Sequence, residues 1–189
     1  LVGADGMGRE VGVKEGGGTV EAWDPYQQPT GIHYNPFDDF IPNWADPETY
    51  KVHYNKAHQA AEWLDFQWAQ TGHTAKRIYG KVELMYENKP TKAVANGEPT
   101  YEGIRNRENG AGWWQGEEAW MQLMSGGTMG VVYGAGGLWQ WKVSADEVGW
   151  PEWANSEVSW KECLDLEGSR YVGYLATALE GMPFTDMEK

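Results

Sequence analysis

The chain has one cysteine, Cys163, so neither an intramolecular disulfide nor a thiolate zinc site can form within it. Positive charge is also in short supply: 15 Lys+Arg stand against 28 Asp+Glu, a formal net charge of -13. No stretch clusters the Lys and Arg that phosphate binding needs, which argues against a nucleic-acid partner, and a surface of this sign repels anionic lipid. Long apolar runs are missing as well. Mean hydropathy is -0.65, and no run nears the roughly 18 residues of a membrane span, so no membrane partner is expected. The chain opens Leu-Val-Gly-Ala-Asp, without an initiator methionine or a charged-then-apolar leader, and the expectation is that the true start lies upstream.

What the sequence has in excess is ring surface. Phe contributes only 4 residues, but 12 Trp and 10 Tyr bring aromatic content to 14%. Two explanations stand side by side. A bulky core can use Trp where others use Leu, or a cleft can be lined with rings whose faces take the C–H side of a sugar while their N–H groups bond hydroxyls. The 25 Gly add tight turns and close backbone approaches.

Period and punctuation give strands alternating with helices, the signature of βα units around a parallel sheet. Strands are predicted at Leu1 to Ala4, Thr30 to Tyr34, Trp63 to Gln70, Lys92 to Asn96 and Gly130 to Gly134. A Gly-rich stretch over residues 6–18 is expected to precede a short helical segment at Thr19 to Trp23, and Asp24-Pro25-Tyr26 to turn the chain. Asp46-Pro47-Glu48 reads as a helix start running to about Glu62, with Asp as N-cap and Pro at the first helical position. Further helices are expected from Thr74 to about Tyr86, from Gly116 to Met124 and from Ser159 to Leu179, with a Trp-rich loop before the last. The chain is too short for a closed eight-stranded barrel, which takes about 250 residues. A small open α/β sheet fits the same pattern, although no Gly-x-Gly-x-x-Gly turn follows a strand to mark a nucleotide site.

The ordered motifs carry more. Asp24-Pro25-Tyr26, a strand ending in His33, Leu64-Asp65-Phe66-Gln67 leading to Gln70-Thr71-Gly72-His73, Asn96-Gly97-Glu98-Pro99-x-Tyr101-Glu102-Gly103, Ser125-Gly126-Gly127 and Val132-Tyr133-Gly134 before Leu138-Trp139 follow one another. In that series the chain resembles the apiosidase-like glycoside hydrolases, which include the pectin-degrading glycoside hydrolase family 140. The resemblance covers most of residues 1 to about 185 and implies an α/β fold of the (β/α)₈ TIM-barrel type, present here in part, roughly its fourth to eighth strands. On this reading residues 1–189 are the C-terminal part of a single barrel domain that continues beyond both ends.

The implied chemistry is glycosidic bond cleavage by two carboxyls, one giving a proton to the leaving oxygen and the other attacking the anomeric carbon or activating water. A barrel presents such groups at the C-terminal ends of different strands. By the resemblance Glu98 is the nucleophile, the other reading being a structural carboxylate paired with Arg105 or Arg107, and Asp5 is the general acid/base, the other reading being a loop aspartate capping the Gly-rich segment. The family's acid usually follows two glycines, where this chain has Gly3-Ala4. His33, Gln70 and His73 are expected to meet sugar hydroxyls at the same mouth. Tyr101 and Glu102, which follow the catalytic strand, and Tyr133, which ends the last one, are expected at the substrate; the Tyr101 hydroxyl is read as holding the nucleophile, the other reading being a packed ring, and Trp139 and Trp141 are candidate sugar platforms, the other reading being loop anchors. Trp113 and Trp114 are expected to pack a helix, and Trp150, Trp153 and Trp160 are read as packing residues. A zinc site of His33, His53, His58 and His73 is set aside, since His53 and His58 miss the i, i+4 spacing that puts two ligands on one helix face. No metal or organic cofactor is required.

The resulting expectation is a glycoside hydrolase acting on an oligo- or polysaccharide of plant cell-wall pectin, extracellular or periplasmic because its polymeric substrate is outside the cell. A carbohydrate-binding protein that keeps the cleft without catalysis is the alternative. A third reading, an inert truncation, leaves an open strand edge that pairs or aggregates. Composition sets no oligomeric state.

Overall fold

The computed structural model describes residues 10–34, 58–71, 79–104, 110–183 and 186–187. The chain divides into two compact units: Leu1–Thr71 with Ile78–Gly97 and Ser125–Gly130, and Gly72–Arg77 with Glu98–Met124 and Val131–Lys189.

The first unit carries most of a four-stranded sheet. Its strands are β1 (Gly31–Tyr34), β2 (Phe66–Gln70), β3 (Ala93–Glu98) and β4 (Gly130–Val131), in the spatial order β1-β2-β3-β4. β1 runs parallel to β2, with His33 in register with Trp68. Two helices accompany the strands, α1 (Glu10–Trp23) and α2 (Tyr79–Tyr86). Strand alternation decides which side chains go where. Ile32, Ala69 and Val94 join Trp63, Leu64, Val82 and Met85 of the preceding turn and of α2 in one apolar cluster. His33 and Trp68, one residue out of phase, stand on the opposite face.

The second unit is built on α3 (Trp113–Met124), the single-turn α4 (Gly136–Trp139) and α5 (Gly168–Leu179), with 3₁₀ turns at Glu152–Ala154 and Glu162–Asp165. Ala119 and Leu123 of α3 meet Leu175 of α5, flanked by Trp120, Val131, Val172 and Leu179. The two helices approach closely because Gly116 has no side chain: a Cβ there would lie 2.7 Å from Tyr171 Cβ. After α5 the chain turns at Gly181, whose φ of 76° is the left-handed stop that glycine supplies beyond a helix end.

The α/β alternation holds, and four of the five predicted strands are present; the fifth, at Leu1 to Ala4, lies outside the described residues. Several boundaries differ. The glycine triplet at 16–18 is inside α1 and not before it. Glycine costs about 1 kcal/mol per helical position relative to Ala, but a Cβ at Gly17 would overlap the Trp63 indole, so its absence lets the helix seat on that ring. His58 to Glu62 forms turns and not the end of a helix, which brings Trp63 and Leu64 into the core ahead of β2. The last helix starts at Gly168 instead of Ser159; the chain before it forms the 3₁₀ turn and extends at Leu166. The Trp-rich loop contains α4, and Trp150, read as a packing residue, is 83% exposed.

Candidate active site

Glu98 is the last residue of β3, half-buried, and is followed by buried Pro99 and Thr100. Pro99 has no N–H to continue a ladder, so the strand ends there and the carboxylate is carried on a chain of fixed φ. Within the first unit, the residues leading to it are closely packed. Asn96 is fully buried and its Oδ1 accepts from the Thr71 hydroxyl at 3.3 Å, while its Nδ2 has no partner among the described residues. Gly97 is obligatory on steric grounds, since a Cβ there would occupy the place of the Trp68 indole. Trp68 is held from the side by Phe66, ring centroids 6.0 Å apart, and by His33 at 6.3 Å. Its indole N–H has no partner among the described residues. Gln70 ends β2, half-buried. Trp68 is a candidate that the sequence reading missed; the alternation of Phe66, Trp68 and Gln70 on one side of β2 is the signal that could have found it.

In the second unit the loop after Glu98 runs beside the segment after β4. The amide of Glu102 donates to the Gly134 carbonyl at 2.9 Å, and the Gly136 amide donates to the Glu102 carbonyl at 2.8 Å. This pairing brings together four of the predicted residues, Tyr101, Glu102, Tyr133 and Trp139. The Tyr101 and Trp139 rings meet at 5.7 Å with a 55° tilt. Glu102 is 3% exposed, and its carboxylate is occupied on both oxygens. Oε1 accepts from the Gly112 amide at 2.6 Å, and Oε2 accepts from the Tyr133 hydroxyl at 2.6 Å and from the Gly168 amide at 2.9 Å. Both amides belong to helix starts, where unpaired N–H groups and the helix dipole favour an anion. Glu102 therefore binds the protein itself: it ties α3, α5 and Tyr133 to the loop behind Glu98. Burial, and after it the same carboxylate, raises the pKa of Tyr133, so that phenol stays a donor at any working pH.

Trp141 has a left-handed backbone, φ 54°, and is 67% exposed. Its ring stacks on Trp160 at 5.4 Å, the two planes almost parallel at 4°, with Lys161 Nζ 5.5 Å from the Trp160 centroid. The next residue secures this presentation. Lys142 is buried, and its ammonium donates to the Ala145 carbonyl at 3.0 Å, the Asn155 side-chain oxygen at 3.1 Å and the Ser156 carbonyl at 2.5 Å. Three donors meet three acceptors, which is what a buried ammonium requires. Trp160, read as packing, is the ring beneath Trp141. In α3 Trp114 is buried as expected, but Trp113 is 59% exposed.

Asp5, His73, Arg105 and Arg107 lie outside the described residues, as does the Trp153 side chain. Among the described residues no group of three His, Cys, Asp or Glu side chains is placed to hold a metal. His58 is buried against the Trp63 ring at 5.5 Å, and Cys163 is buried, its thiol pushed up by burial.

A sheet of α/β type with polar and acidic residues at the C-terminal ends of its strands is the architecture on which many hydrolases are built, and solved structures of that kind align with the chain. One, named "Glycoside hydrolase", shares 20% identity and a TM-score of 0.60 over 96% of this chain and 49% of its own. Another, a glycoside hydrolase family 5 structure from Bacteroides vulgatus, shares 17% identity and a TM-score of 0.64 over 98% of this chain and 50% of its own. At these identities the likeness is one of fold, and the chain spans about half the length of each. The family model "Apiosidase-like, catalytic domain" matches residues 1–186. The chain belongs to that family. No curated protein matches it in sequence.

Proposed function

We propose that this chain forms part of the (β/α)₈ barrel of a glycoside hydrolase that cleaves a glycosidic bond in a plant cell-wall polysaccharide of the pectin class, with Glu98 as one of two reacting carboxyls and Asp5 as the other. The observation that carries the reading is the position of Glu98: a carboxylate at the C-terminal end of a sheet strand, in a catalytic-domain family, on a loop whose backbone is fixed by buried polar groups. A reacting carboxyl must be held to a fraction of an ångström, and fixed supports are what such holding takes. In the proposed reaction Glu98 attacks the anomeric carbon while Asp5 gives its proton to the leaving oxygen, after which Asp5 takes a proton from the water that releases the sugar. Tyr101, Trp139 and Trp141 offer ring faces to sugar C–H surfaces. His33 and Gln70, near and at the ends of β1 and β2, supply hydroxyl partners, and His73 is assigned the same role. Glu102 and Tyr133 serve by holding the loop. The polymer is outside the cell, so the proposed compartment is extracellular or periplasmic.

The test is turnover of an aryl glycoside by the full-length protein carrying Glu98→Gln. Loss of turnover with oligosaccharide binding retained is the expected result. Turnover at the unmodified rate rejects the assignment, and binding without turnover in the unmodified protein favours the non-catalytic alternative.

A further inference from the structure

Three buried polar side chains of α3 have no part in the reaction as proposed: Gln115, Glu118 and Gln122. Two of them converge on a single peptide. The Thr100 amide donates to both oxygens of Glu118, at 3.2 Å and 3.4 Å, and the Thr100 hydroxyl donates to the same carboxylate. One helical turn earlier, Gln115 Nε2 donates to the Thr100 carbonyl at 2.9 Å and to the Gly110 carbonyl at 3.0 Å. Thr100 is thus gripped through its N–H and its C=O by neighbouring turns of one helix. It stands two residues after Glu98, with only Pro99 between them, whose ring removes most of the remaining backbone freedom. Two residues further on, Glu102 fixes the chain again through Gly112, Gly168 and Tyr133. Burial makes this grip firm, because a carboxylate or amide with 4% or less exposure has no water to turn to if the bond breaks.

We infer that Gln115 and Glu118 are positioning residues that set the backbone carrying Glu98, and that α3 thereby fixes the attack geometry. The inference rests on the reading of Glu98 as a reacting carboxyl. Neither side chain touches substrate in this role. Truncating either one lets the Pro99-Thr100 segment shift, and a displacement of about 1 Å costs about 100-fold in rate while substrate binding is little changed.

The experiment is steady-state kinetics on an aryl glycoside with the full-length protein, comparing Glu98→Gln, Gln115→Met, Glu118→Met, Glu118→Gln and Glu118→Asp, each checked for folding by its thermal transition. The methionine variants keep shape and remove the hydrogen bond; kcat is expected to fall about 10- to 100-fold with KM within about two-fold. Glu118→Gln keeps an acceptor oxygen and is expected to recover most of the loss. Folded methionine variants with unchanged kcat, or with the loss carried by KM, overturn the inference. Where the methionine variants fail to fold, Glu118→Asp decides: it keeps the carboxylate but draws it back by one methylene from the Thr100 amide, and a kcat drop of about three-fold or more at constant KM supports the grip, whereas an unchanged kcat overturns it. Full turnover by Glu98→Gln overturns the functional reading and the inference together. Loss in Glu98→Gln with no effect at α3 overturns the inference alone.

Discussion

Replacing Glu118 by Gln removes a buried proton site, and with it a slope in stability against pH. Burial is the largest influence on this carboxyl and pushes its pKa from 4.5 to about 7, against the smaller downward pull of the Thr100 amide and hydroxyl. In the unfolded chain the proton leaves near 4.5. Between those two pH values the folded state holds more protons than the unfolded one, so stability falls as pH rises, by up to about 1.4 kcal/mol per pH unit. Summed from 4.5 to about 7, the loss attributable to this one group is about 3 kcal/mol, complete by roughly pH 8. Gln keeps the size and an acceptor for Thr100 but cannot ionise. The measurement is urea unfolding of both proteins from pH 4 to pH 8. The difference in stability is expected to move in favour of Glu118→Gln by about 3 kcal/mol across that range, which at the midpoint is a clear shift in urea concentration. Asp24, Asp146 and Glu162 have lowered pKa values and act with the opposite sign below about pH 5, but they are common to both proteins and cancel. Parallel curves for the two proteins would refute the reasoning, because they would mean that Glu118 is ionised alike in both states.

Gly97→Ala places a methyl in the space of the Trp68 indole and is expected to cost about 1 to 3 kcal/mol. Trp68→Leu in the same chain relieves part of that cost, and strictly additive effects in the double-mutant cycle would rule out the contact. Lys142→Met leaves the Ala145 and Ser156 carbonyls without their donor, a loss of about 3 kcal/mol, read as a drop in Tm. Trp141→Ala is expected to raise the Kd for an oligosaccharide about ten-fold while Tm hardly moves; titration calorimetry checks the first and a thermal melt the second.

Local pattern carried some elements and not others, for physical reasons. β3 and the placing of Glu98 at its end were legible because an apolar run meets Gly and then Pro, which stop a strand in any context. β1 and β2 were legible to within a few residues for the same kind of reason, and the end of α3 at Met124 was found as expected. Helix α1 was hidden by its glycines, whose poor intrinsic propensity is outweighed by a fit against Trp63 that only the folded chain has. The start of α5 was hidden because what sets it is a bond from the Gly168 amide to Glu102, sixty-six residues earlier. The same holds at the site. Tyr101, Tyr133 and Trp139 were identified by motif and do come together, whereas Glu102 was read as meeting substrate when its carboxylate faces three protein donors. Glu118 sits in a Glu-Glu pair that looks like a solvated helix face. Its burial follows from Thr100, which nothing nearby in sequence announces.

The role of Glu98 is tested most directly by chemical rescue. Glu98→Ala in the full-length protein is expected to lose turnover of an activated aryl glycoside by about a thousand-fold or more, and added azide to restore it with formation of a glycosyl azide of inverted anomeric configuration. Undiminished turnover without azide would contradict the account, and so would a loss that azide leaves unchanged while formate or azide restores activity to a variant of a different carboxylate.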